Sequence, residues 1–344
     1  MARSRSVVAL VVGMLLSCSA AHAAPEAICS ADWEQYRQRF MLPEGRIQDT
    51  GNGGVSHSEG QGWGMLLAVA ADDRKAFRSL WQWTDQTLKR SDVALFSWRY
   101  DPRAEPAVTD PNDASDGDVL IAWALLRAGQ RWDDSEYLAQ SALIRDAIAQ
   151  RLVRRIQGYT TLLSGIDGFD QADGTVINLS YLVGPAFVEF DRVDHEGPWK
   201  ELLNDAPRLL KLARFGQYDL PPDWLLLPAQ GRPYPASGWP ARFGFDAVRI
   251  PLYYRWGQLD RRDHALLRPF ERFWNSGGQK NPPAWIDLND ASVAPYPVST
   301  GVLAIRAYLA GEPLPNSPVR NEDYYSSSLY LLTQLASGVC ARRR

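Results

Sequence analysis

The sequence is poor in the residues that metal sites and nucleic-acid surfaces require. Of its 344 residues only four are histidine and three are cysteine, and it contains no His-Glu-x-x-His segment, which argues against a catalytic zinc site. Lys and Arg total 37 against 40 Asp and Glu, a net charge of −3. With no arginine-rich run away from the chain ends, this balance argues against a nucleic-acid groove, whose affinity comes from neutralising phosphates.

Motifs of two further reaction classes are also missing, namely the Gly-x-Ser-x-Gly elbow and the phosphate loop. What the chain has is 45% hydrophobic and 22% charged residues, the profile of a globular protein with a large core. Its 13 Trp, 14 Tyr and 11 Phe exceed what core filling needs. Flat aromatic faces suit a ligand with flat apolar faces, such as a sugar ring.

The first residues resemble a secretory signal. Arg3 and Arg5 give a basic start, an apolar run covers 7–16, and Ala21-His22-Ala23 supplies small residues at a cleavage site. We predict a signal peptide over 1–23 and a periplasmic or secreted mature chain. Lipid modification of Cys18 is the second interpretation. An uncleaved anchor is disfavoured because the run is shorter than the roughly 20 residues of a membrane span, and no later segment is long and apolar enough.

Two cysteines, Cys29 and Cys340, remain near opposite ends of the mature chain. In an oxidising compartment they can pair, because chain ends often lie close together on a domain surface. Two unpaired thiols are the alternative. A separation of their Cα atoms below about 7 Å decides between the two.

Helical periodicity interrupted by glycine- and proline-rich loops predicts an all-α protein. Without a low-complexity linker, we expect a single domain over 24–344, built as one helical toroid. The long loops, which we expect to carry function, span 42–58, 91–115, 158–178 and 220–244. The predicted helices lie near 31–39, 60–71, 74–88, 118–128, 135–154, 180–190, 198–214, 245–256, 262–274, 300–309 and 321–335.

An acidic residue follows a loop and opens a predicted helix at three places. In Ser58–Gly64 (Ser-Glu-Gly-Gln-Gly-Trp-Gly), Ser58 and Gln61 fit a capping box and Glu59 lies in the first turn. The helix dipole there favours the ionised carboxylate, the opposite of what a general acid needs. The flanking glycines fit a close approach of a ligand to the backbone.

The second acidic segment is Ala114-Ser115-Asp116-Gly117-Asp118. A calcium loop does not fit, because Ala114 and Trp123 would occupy ligand positions. Helix capping by Ser115 or Asp116 fits, and so does a carboxylate that points into a cleft.

The third segment, Phe245-Asp246-Ala247-Val248-Arg249, again places an acid after a loop. Here the alternative is an Asp246–Arg249 pair at i,i+3, worth only a few tenths of a kcal/mol.

Together these segments resemble glycoside hydrolase family 8. Ser58–Gly64 is similar to its acid motif, Ala114–Asp118 with Ile121–Leu126 to its signature, and 245–249 to its third acidic motif. Within the family the similarity is strongest to the periplasmic endo-β-1,4-glucanases, or cellulases, of bacterial cellulose synthesis operons. The resemblance implies an (α/α)6 barrel and no cofactor or metal.

The resemblance also implies residue roles. An inverting glycosidase needs one carboxylic acid to protonate the leaving oxygen and one carboxylate to activate water, about 6.5–9.5 Å apart. Glu59 carries over as the acid, Asp246 as the base, and Asp116 as the carboxylate that holds the distorted sugar, a role less settled than its presence. Substrate contacts are expected from Trp98, Tyr181, Tyr324 and Tyr325, with core packing as the alternative for each.

Arg249 is expected either to bind a sugar hydroxyl or to orient Asp246. One departure concerns the stretch Leu179-Ser180-Tyr181-Leu182, since many relatives have Pro-Ser-Tyr-Trp there. A stacking platform at Leu182 is therefore not expected, which puts the number of sugar subsites in doubt.

The resemblance implies a β-1,4-glucan chain as the substrate and suggests the cellulose synthase complex as a further partner. Two alternatives remain. One is a non-hydrolytic glucan-binding or scaffold protein of a polysaccharide export machine, which would not need both Glu59 and Asp246. The other is the same fold acting on chitosan, xylan or mixed-linkage glucan; the aspartate of the third motif favours the cellulase branch over the chitosanase branch.

Overall fold

The computed structural model describes residues 27–278 and 281–341, so the predicted signal peptide and Cys18 lie outside the described residues. Within those ranges the chain forms eleven α-helices: α1 Ser30–Phe40, α2 Ser58–Ala70, α3 Arg74–Thr87, α4 Ser115–Trp132, α5 Ser135–Arg151, α6 Gly184–Val193, α7 Trp199–Leu212, α8 Ile250–Trp256, α9 Arg268–Trp274, α10 Thr300–Ala310 and α11 Tyr324–Ser337.

Five of the helices close into a ring. α11 packs against α2, α2 against α4, α4 against α6, α6 against α8, and α8 returns to α11. Further helices cover the ring from outside, with α3 on α2, α5 on α4, α7 on α6, and α10 on both α8 and α11. The ring helices α2 and α4 are apolar nearly all round and almost fully buried, as expected for helices enclosed on every side. This is the predicted helical toroid.

Three predicted helices begin four to six residues later than expected, and a proline stands near each observed start. Pro185, Pro251 and Pro269 lie in the first turns of α6, α8 and α9. Proline has no N–H to donate to the carbonyl four residues earlier, so a regular α-helix cannot extend back through it. The residues ahead of Pro185 and Pro251 form 3₁₀ turns instead, Leu179–Tyr181 and Ala247–Arg249.

The long loops contain most of the short antiparallel strands, which the sequence did not predict. Two- and four-residue strands are too short to show a clear alternation of apolar and polar residues. They pair as β1–β2, β3–β4, β5–β6–β7–β8 and β9–β10. Their bounds are β1 Ser56–His57, β2 Arg99–Tyr100, β3 Val153–Ile156, β4 Tyr159–Leu162, β5 Asp170–Gln171, β6 Gly174–Ile177, β7 Leu225–Pro228, β8 Tyr234–Pro235, β9 Arg242–Phe243 and β10 Ile286–Asp287.

The two ends of the described chain are joined covalently. Cys29 and Cys340 form a disulfide with Cα atoms 5.3 Å apart, so the pairing alternative holds over two free thiols. Next to it, α1 packs on α11, and the backbone N–H of Cys29 donates to the Gln334 side chain. In the part of the chain that the structure describes, no helix is both long and apolar enough to cross a bilayer.

Candidate active site

The three predicted acids meet around one buried arginine. The Arg249 guanidinium donates to Asp246 Oδ1 at 2.6 Å and to Asp116 Oδ2 at 3.3 Å, and it contacts the Glu59 carboxylate. It also donates to the Ser180 hydroxyl at 2.9 Å. Three acids that are 57 to 187 positions apart in the sequence are thereby brought to one end of the helical ring.

Glu59 is positioned by the strand pair that precedes α2. His57 pairs with Arg99 across β1 and β2, and the Ser58 N–H donates to the Trp98 carbonyl at 3.0 Å. The predicted capping box is wrong, because His57 rather than Ser58 occupies the N-cap and the Gln61 side chain bonds to Ile47 N and Thr84 Oγ1 instead. The helix start is thus held by β-pairing, and the Glu59 side chain reaches Arg249.

Asp116 is brought beside Glu59 by contact between the starts of α2 and α4. A Cβ atom at Gly117 would lie 2.1 Å from Ser58 Oγ and 2.9 Å from Glu59 N, so the two backbones approach as only glycine allows. The capping prediction is wrong here as well. Ala114 occupies the N-cap, while Ser115 donates to the Leu163 carbonyl.

The neighbouring carboxylate Asp118 has a different role. It is fully buried and its Oδ1 accepts the Phe96 N–H at 2.9 Å. Burial raises its pKa well above the ordinary value, with the facing Asp113 adding to the effect. Asp118 therefore ties α4 to the loop that leads into β2.

Asp246 lies at the start of the 3₁₀ turn that leads into α8. Its i,i+3 pair with Arg249 is present, as the alternative interpretation proposed, but the same guanidinium also serves Asp116 and Glu59. The pair is therefore part of the acidic cluster and not an isolated surface contact.

Accessibility separates the three carboxylates. The side chains of Asp246 and Glu59 are 28% and 18% exposed, whereas Asp116 is 5% exposed. Two carboxylates can therefore meet a ligand and water, while the third is nearly covered.

Burial also shifts the protonation of the cluster. It raises the pKa of Asp116 to about 7. For Asp246, burial first, then the Asp223 and Asp116 carboxylates, raise the pKa well above the ordinary value. Such shifts are characteristic of acid–base sites.

The predicted substrate residues lie around this cluster. Trp98 is half-buried, stacks on His57 at 5.9 Å and donates its indole N–H to Asp110. Tyr181 is 8% exposed, with its ring 5.8 Å from the Arg249 guanidinium carbon. The nearby Asp116 and Asp246 carboxylates add to the effect of burial in raising the pKa of Tyr181.

Tyr324 and Tyr325 open α11 and have different surroundings. Tyr324 is 3% exposed, and its hydroxyl oxygen would lie 2.4 Å from a Cβ atom at Gly60, so it packs under the Glu59 backbone. Tyr325 is half-buried, lies over Trp63, and donates its hydroxyl to the Phe245 carbonyl. Both tyrosines thus support the acid-bearing backbone.

Arg249 was expected either to bind a sugar or to orient Asp246. It is 2% exposed, and its guanidinium hydrogen-bonds four side chains or backbone groups of the protein. This geometry favours orientation of the carboxylates over direct contact with a ligand.

Two site residues were not predicted from the sequence. Ser180 binds Arg249, and Asp223 is buried with its carboxylate against the 244–247 backbone. Asp223 lies in the long loop 220–244 that we expected to carry function, but an isolated Asp after two prolines gives no further signal. In 27–278 and 281–341, no group of three or more His, Cys, Asp or Glu is arranged to hold a metal ion.

Several known proteins are similar to this chain in sequence and in architecture. A protein from Cellulomonas uda named endoglucanase is 43% identical over 310 residues, covering 90% of this chain and 84% of its own. A probable endoglucanase from Novacetimonas hansenii is 39% identical, covering 96% and 98%. The crystal structure of a GH8 endo-β-1,4-glucanase from an Achatina fulica gut metagenomic library has a TM-score of 0.84 at 45% identity, covering 89% and 96%.

The family model for glycosyl hydrolases family 8 matches residues 3–339. This match and the relatives confirm both the predicted (α/α)6 barrel and the predicted class of enzyme, and the closed helical ring is consistent with that toroid. The chain belongs to glycosyl hydrolase family 8.

Proposed function

We propose that the protein is an endo-acting, inverting hydrolase of β-1,4-glucosidic bonds in cellulose or soluble β-glucan. The observation that carries the proposal is the convergence of two accessible carboxylates, Glu59 and Asp246, on the single buried guanidinium of Arg249. A protein that only binds glucan has no need of an acid and a base that face the same bond.

In this proposal the three acids have separate roles. Glu59 donates a proton to the leaving glycosidic oxygen, and Asp246 removes a proton from the water that attacks the anomeric carbon from the opposite face. Asp116 shares Arg249 and contacts the distorted sugar through the small part of its side chain that is exposed, 5%. It transfers no proton in either step. The guanidinium fixes the relative orientation of all three.

Aromatic side chains on both sides of the acids support binding of an extended chain. Trp98 lies on the Glu59 side, next to β2. On the other side, Tyr181 meets the edge of Trp224 at 6.0 Å, and Trp224 stacks on Trp239 at 5.1 Å. Several aromatic rings in succession suit a polymer bound along a groove and cut internally.

A viscosity assay on carboxymethyl cellulose tests the proposal. We expect a rapid fall in viscosity with few new reducing ends. Glu59→Gln is expected to lower kcat by about 10²–10⁴-fold while cello-oligosaccharide binding is kept. Glu136→Gln is the matched control, since Glu136 is likewise the second residue of a helix that begins with serine.

The outcomes separate the alternatives. Binding of cello-oligosaccharide without any fall in viscosity would favour the glucan-binding alternative. Cleavage of chitosan, xylan or mixed-linkage glucan in preference to cellulose, on a panel of defined oligosaccharides, would change the polymer but keep the enzyme. A Glu59→Gln variant that turns over at the normal rate would remove Glu59 from the acid role.

We further propose that residues 24–344 form the mature catalytic domain, exported to the periplasm after removal of 1–23. The Cys29–Cys340 disulfide supports an oxidising compartment. The resemblance to the glucanases of cellulose synthesis operons supports a role beside the cellulose synthase complex. Mass spectrometry of the exported protein should give an N-terminus at Ala24, and an intact N-terminus or a lipidated Cys18 would contradict this.

A further inference from the structure

Asp223 is a buried carboxylate around which the segment carrying Asp246 is folded. It lies two residues before β7 and is 4% exposed. Its backbone N–H donates to the Arg242 carbonyl at 2.8 Å, at the start of β9. Its side chain has no part in the roles proposed for Glu59, Asp116 and Asp246.

One oxygen of this carboxylate accepts three backbone N–H groups. Asp223 Oδ1 lies 3.0 Å from the nitrogen of Gly244, 3.1 Å from that of Asp246 and 2.9 Å from that of Ala247. The other oxygen faces Arg242 Nε at 3.4 Å. Hydrogen bonds to an ionised acceptor are about twice as strong as neutral ones, and three donors converging on one oxygen form an anion nest. The turn 244–247 is therefore shaped around the Asp223 carboxylate.

This arrangement frees the side chain of Asp246. Asp246 occupies the N-cap of the 3₁₀ turn Ala247–Arg249, a position where an aspartate ordinarily accepts N–H groups of its own helix. Here those groups, the N–H of Val248 and of Arg249, donate to the Gly244 and Asp246 carbonyls. Asp223 binds the N–H groups of Asp246 and Ala247, and the Asp246 carboxylate points to Arg249. Because the turn is held by these bonds, the Asp246 carboxylate is not used as a cap and remains one that water can reach.

The same turn is held on a second side by α11. The Tyr325 hydroxyl donates to the Phe245 carbonyl, between the N–H groups that Asp223 accepts. Donors and acceptors of successive residues are thus bound to two different parts of the fold, which leaves Asp246 little freedom to shift.

We propose that Asp223 is a positioning residue for hydrolysis, whose carboxylate caps the 244–247 turn from outside and so aims the Asp246 carboxylate at the bond to be cleaved. The inference rests on the proposed role of Asp246 as the base.

Asp223 also acts on Asp246 through its charge. After burial, the Asp223 carboxylate is the next cause of the raised pKa of Asp246, followed by Asp116. The other groups that face Asp246 are Arg249, Arg242, the Asn178 side chain and the tyrosines Tyr181 and Tyr325. Because a base works in its ionised form, removal of the Asp223 charge lowers the pKa of Asp246 and extends activity to lower pH.

Two substitutions separate positioning from charge. Asp223→Asn keeps an oxygen that can accept the three N–H groups but removes the charge. Asp223→Ala removes both. Asp205→Ala is the matched control, since Asp205 is also a buried carboxylate, 7% exposed, that accepts a backbone N–H, from Thr160, and pairs with an arginine away from the acids. The purified full-length variants are compared by thermal unfolding and by pH profiles of kcat and KM on cellopentaose.

We expect Asp223→Ala to lower kcat by about 10²-fold, because a displacement of about 1 Å has that effect, with KM nearly unchanged. Asp223→Asn should recover most of this loss, and the acidic limb of its kcat/KM profile should move to lower pH. A normal kcat for Asp223→Ala, or an unmoved acidic limb for Asp223→Asn, would overturn the proposal. If the alanine variant does not fold, the limb of the asparagine variant decides.

Asp246→Asn, measured in parallel, separates this inference from the proposed function. If Asp246→Asn retains activity, the base is misassigned and the proposed function fails in that part. If Asp246→Asn is inactive while both Asp223 variants behave like the wild type, only the role of Asp223 is lost.

Discussion

Three carboxylates share one guanidinium in this enzyme, and the charge of Arg249 is what allows them to lie together. Arg249 is 2% exposed and reaches Glu59, Asp116 and Asp246. Without it, three acids would repel one another in a partly desolvated site, and protons would be taken up to relieve the repulsion. The arginine thus stabilises the fold locally and, in the proposed mechanism, holds the three acids in place.

Removal of this cation should cost stability as well as activity. We predict that Arg249→Met lowers the free energy of unfolding by about 3–5 kcal/mol, the usual cost of breaking a buried ion pair from one side. Arg37→Met, which breaks an exposed i,i+3 pair with Glu34, should cost about 0.5 kcal/mol or less. Urea unfolding at pH 7 measures both, and equal losses would contradict the account.

His57, which stacks on Trp98 beside the site, makes the stability of the protein depend on pH. Burial, and then the positive charge of Arg99, lower its pKa to about 4, although Asp49 lies 3.8 Å away. Between pH 6.5 and 4 the unfolded chain therefore binds the additional proton, and stability falls on acidification through this window. We expect His57→Phe, which keeps a ring on Trp98, to lose less stability between pH 7 and 4.5 than the wild type does. An unchanged pH dependence of urea unfolding would show that His57 titrates normally.

The sequence motifs predicted three acids that the structure brings together, but they misjudged how the helices of these acids are held. Ser58 and Ser115 were predicted to be N-caps because a serine side chain at a helix start commonly accepts an N–H group of the first turn. In the structure, β-pairing holds the start of α2, and at the start of α4 the Ser115 hydroxyl donates to the Leu163 carbonyl. Asp223 was not predicted because its partners are backbone N–H groups 21 to 24 residues later. Such contacts do not require particular side chains, so no sequence pattern indicates them.

At the level of elements, the contact between the starts of α2 and α4 sets the relation of Glu59 to Asp116. Gly117 is the point of closest approach, since a Cβ atom there would overlap Ser58 and the Glu59 backbone. The 3₁₀ turns before α6 and α8 bring Ser180 and Asp246 to the same guanidinium. Proline positions and a glycine contact, and not helix propensity, therefore determine the site geometry.

Widening of this contact should impair catalysis more than stability. We predict that Gly117→Ala lowers kcat by about 10²-fold, because Glu59 is displaced, while the gain in helix propensity of up to about 1 kcal/mol offsets part of the steric cost. Gly129→Ala is the control on the same helix, since a Cβ atom there would also be crowded, by the exposed Leu138 side chain and the Asp134 carbonyl, but far from the acids in the sequence. Steady-state kinetics on cellopentaose should show normal kcat for Gly129→Ala only, and a fully active Gly117→Ala enzyme would contradict the assignment.

For the molecule as a whole, the ring can form only when residues near both ends of the chain are in place. α11, which lies late in the sequence, packs against α1, α2 and α8. The ring is therefore closed by contacts between a helix from the end of the sequence and helices from its beginning. The helical periodicity was sufficient to predict this class of fold. The sequence did not decide whether Cys29 and Cys340 form a disulfide, because positions in the sequence do not give the distance between two Cα atoms.

The disulfide closes a loop of 311 residues, and we predict that it stabilises the fold without taking part in catalysis. Cys29→Ser with Cys340→Ser should lower the free energy of unfolding by about 2–5 kcal/mol, with unchanged kcat at 25 °C. Urea unfolding of the wild type with and without reductant provides the control. Coincident unfolding curves for the variant and the oxidised wild type would show that the bond does not contribute.

The most direct test of the central claim, that Glu59 and Asp246 act as acid and base on opposite faces of one β-1,4 bond, is the anomeric form of the first product. Proton NMR of cellopentaose hydrolysis, recorded before mutarotation, distinguishes the α- from the β-anomer at the newly formed reducing end. Direct attack by water inverts the anomeric centre, so the account predicts that the α-anomer accumulates first. First appearance of the β-anomer would mean a covalent intermediate and would contradict the assignment.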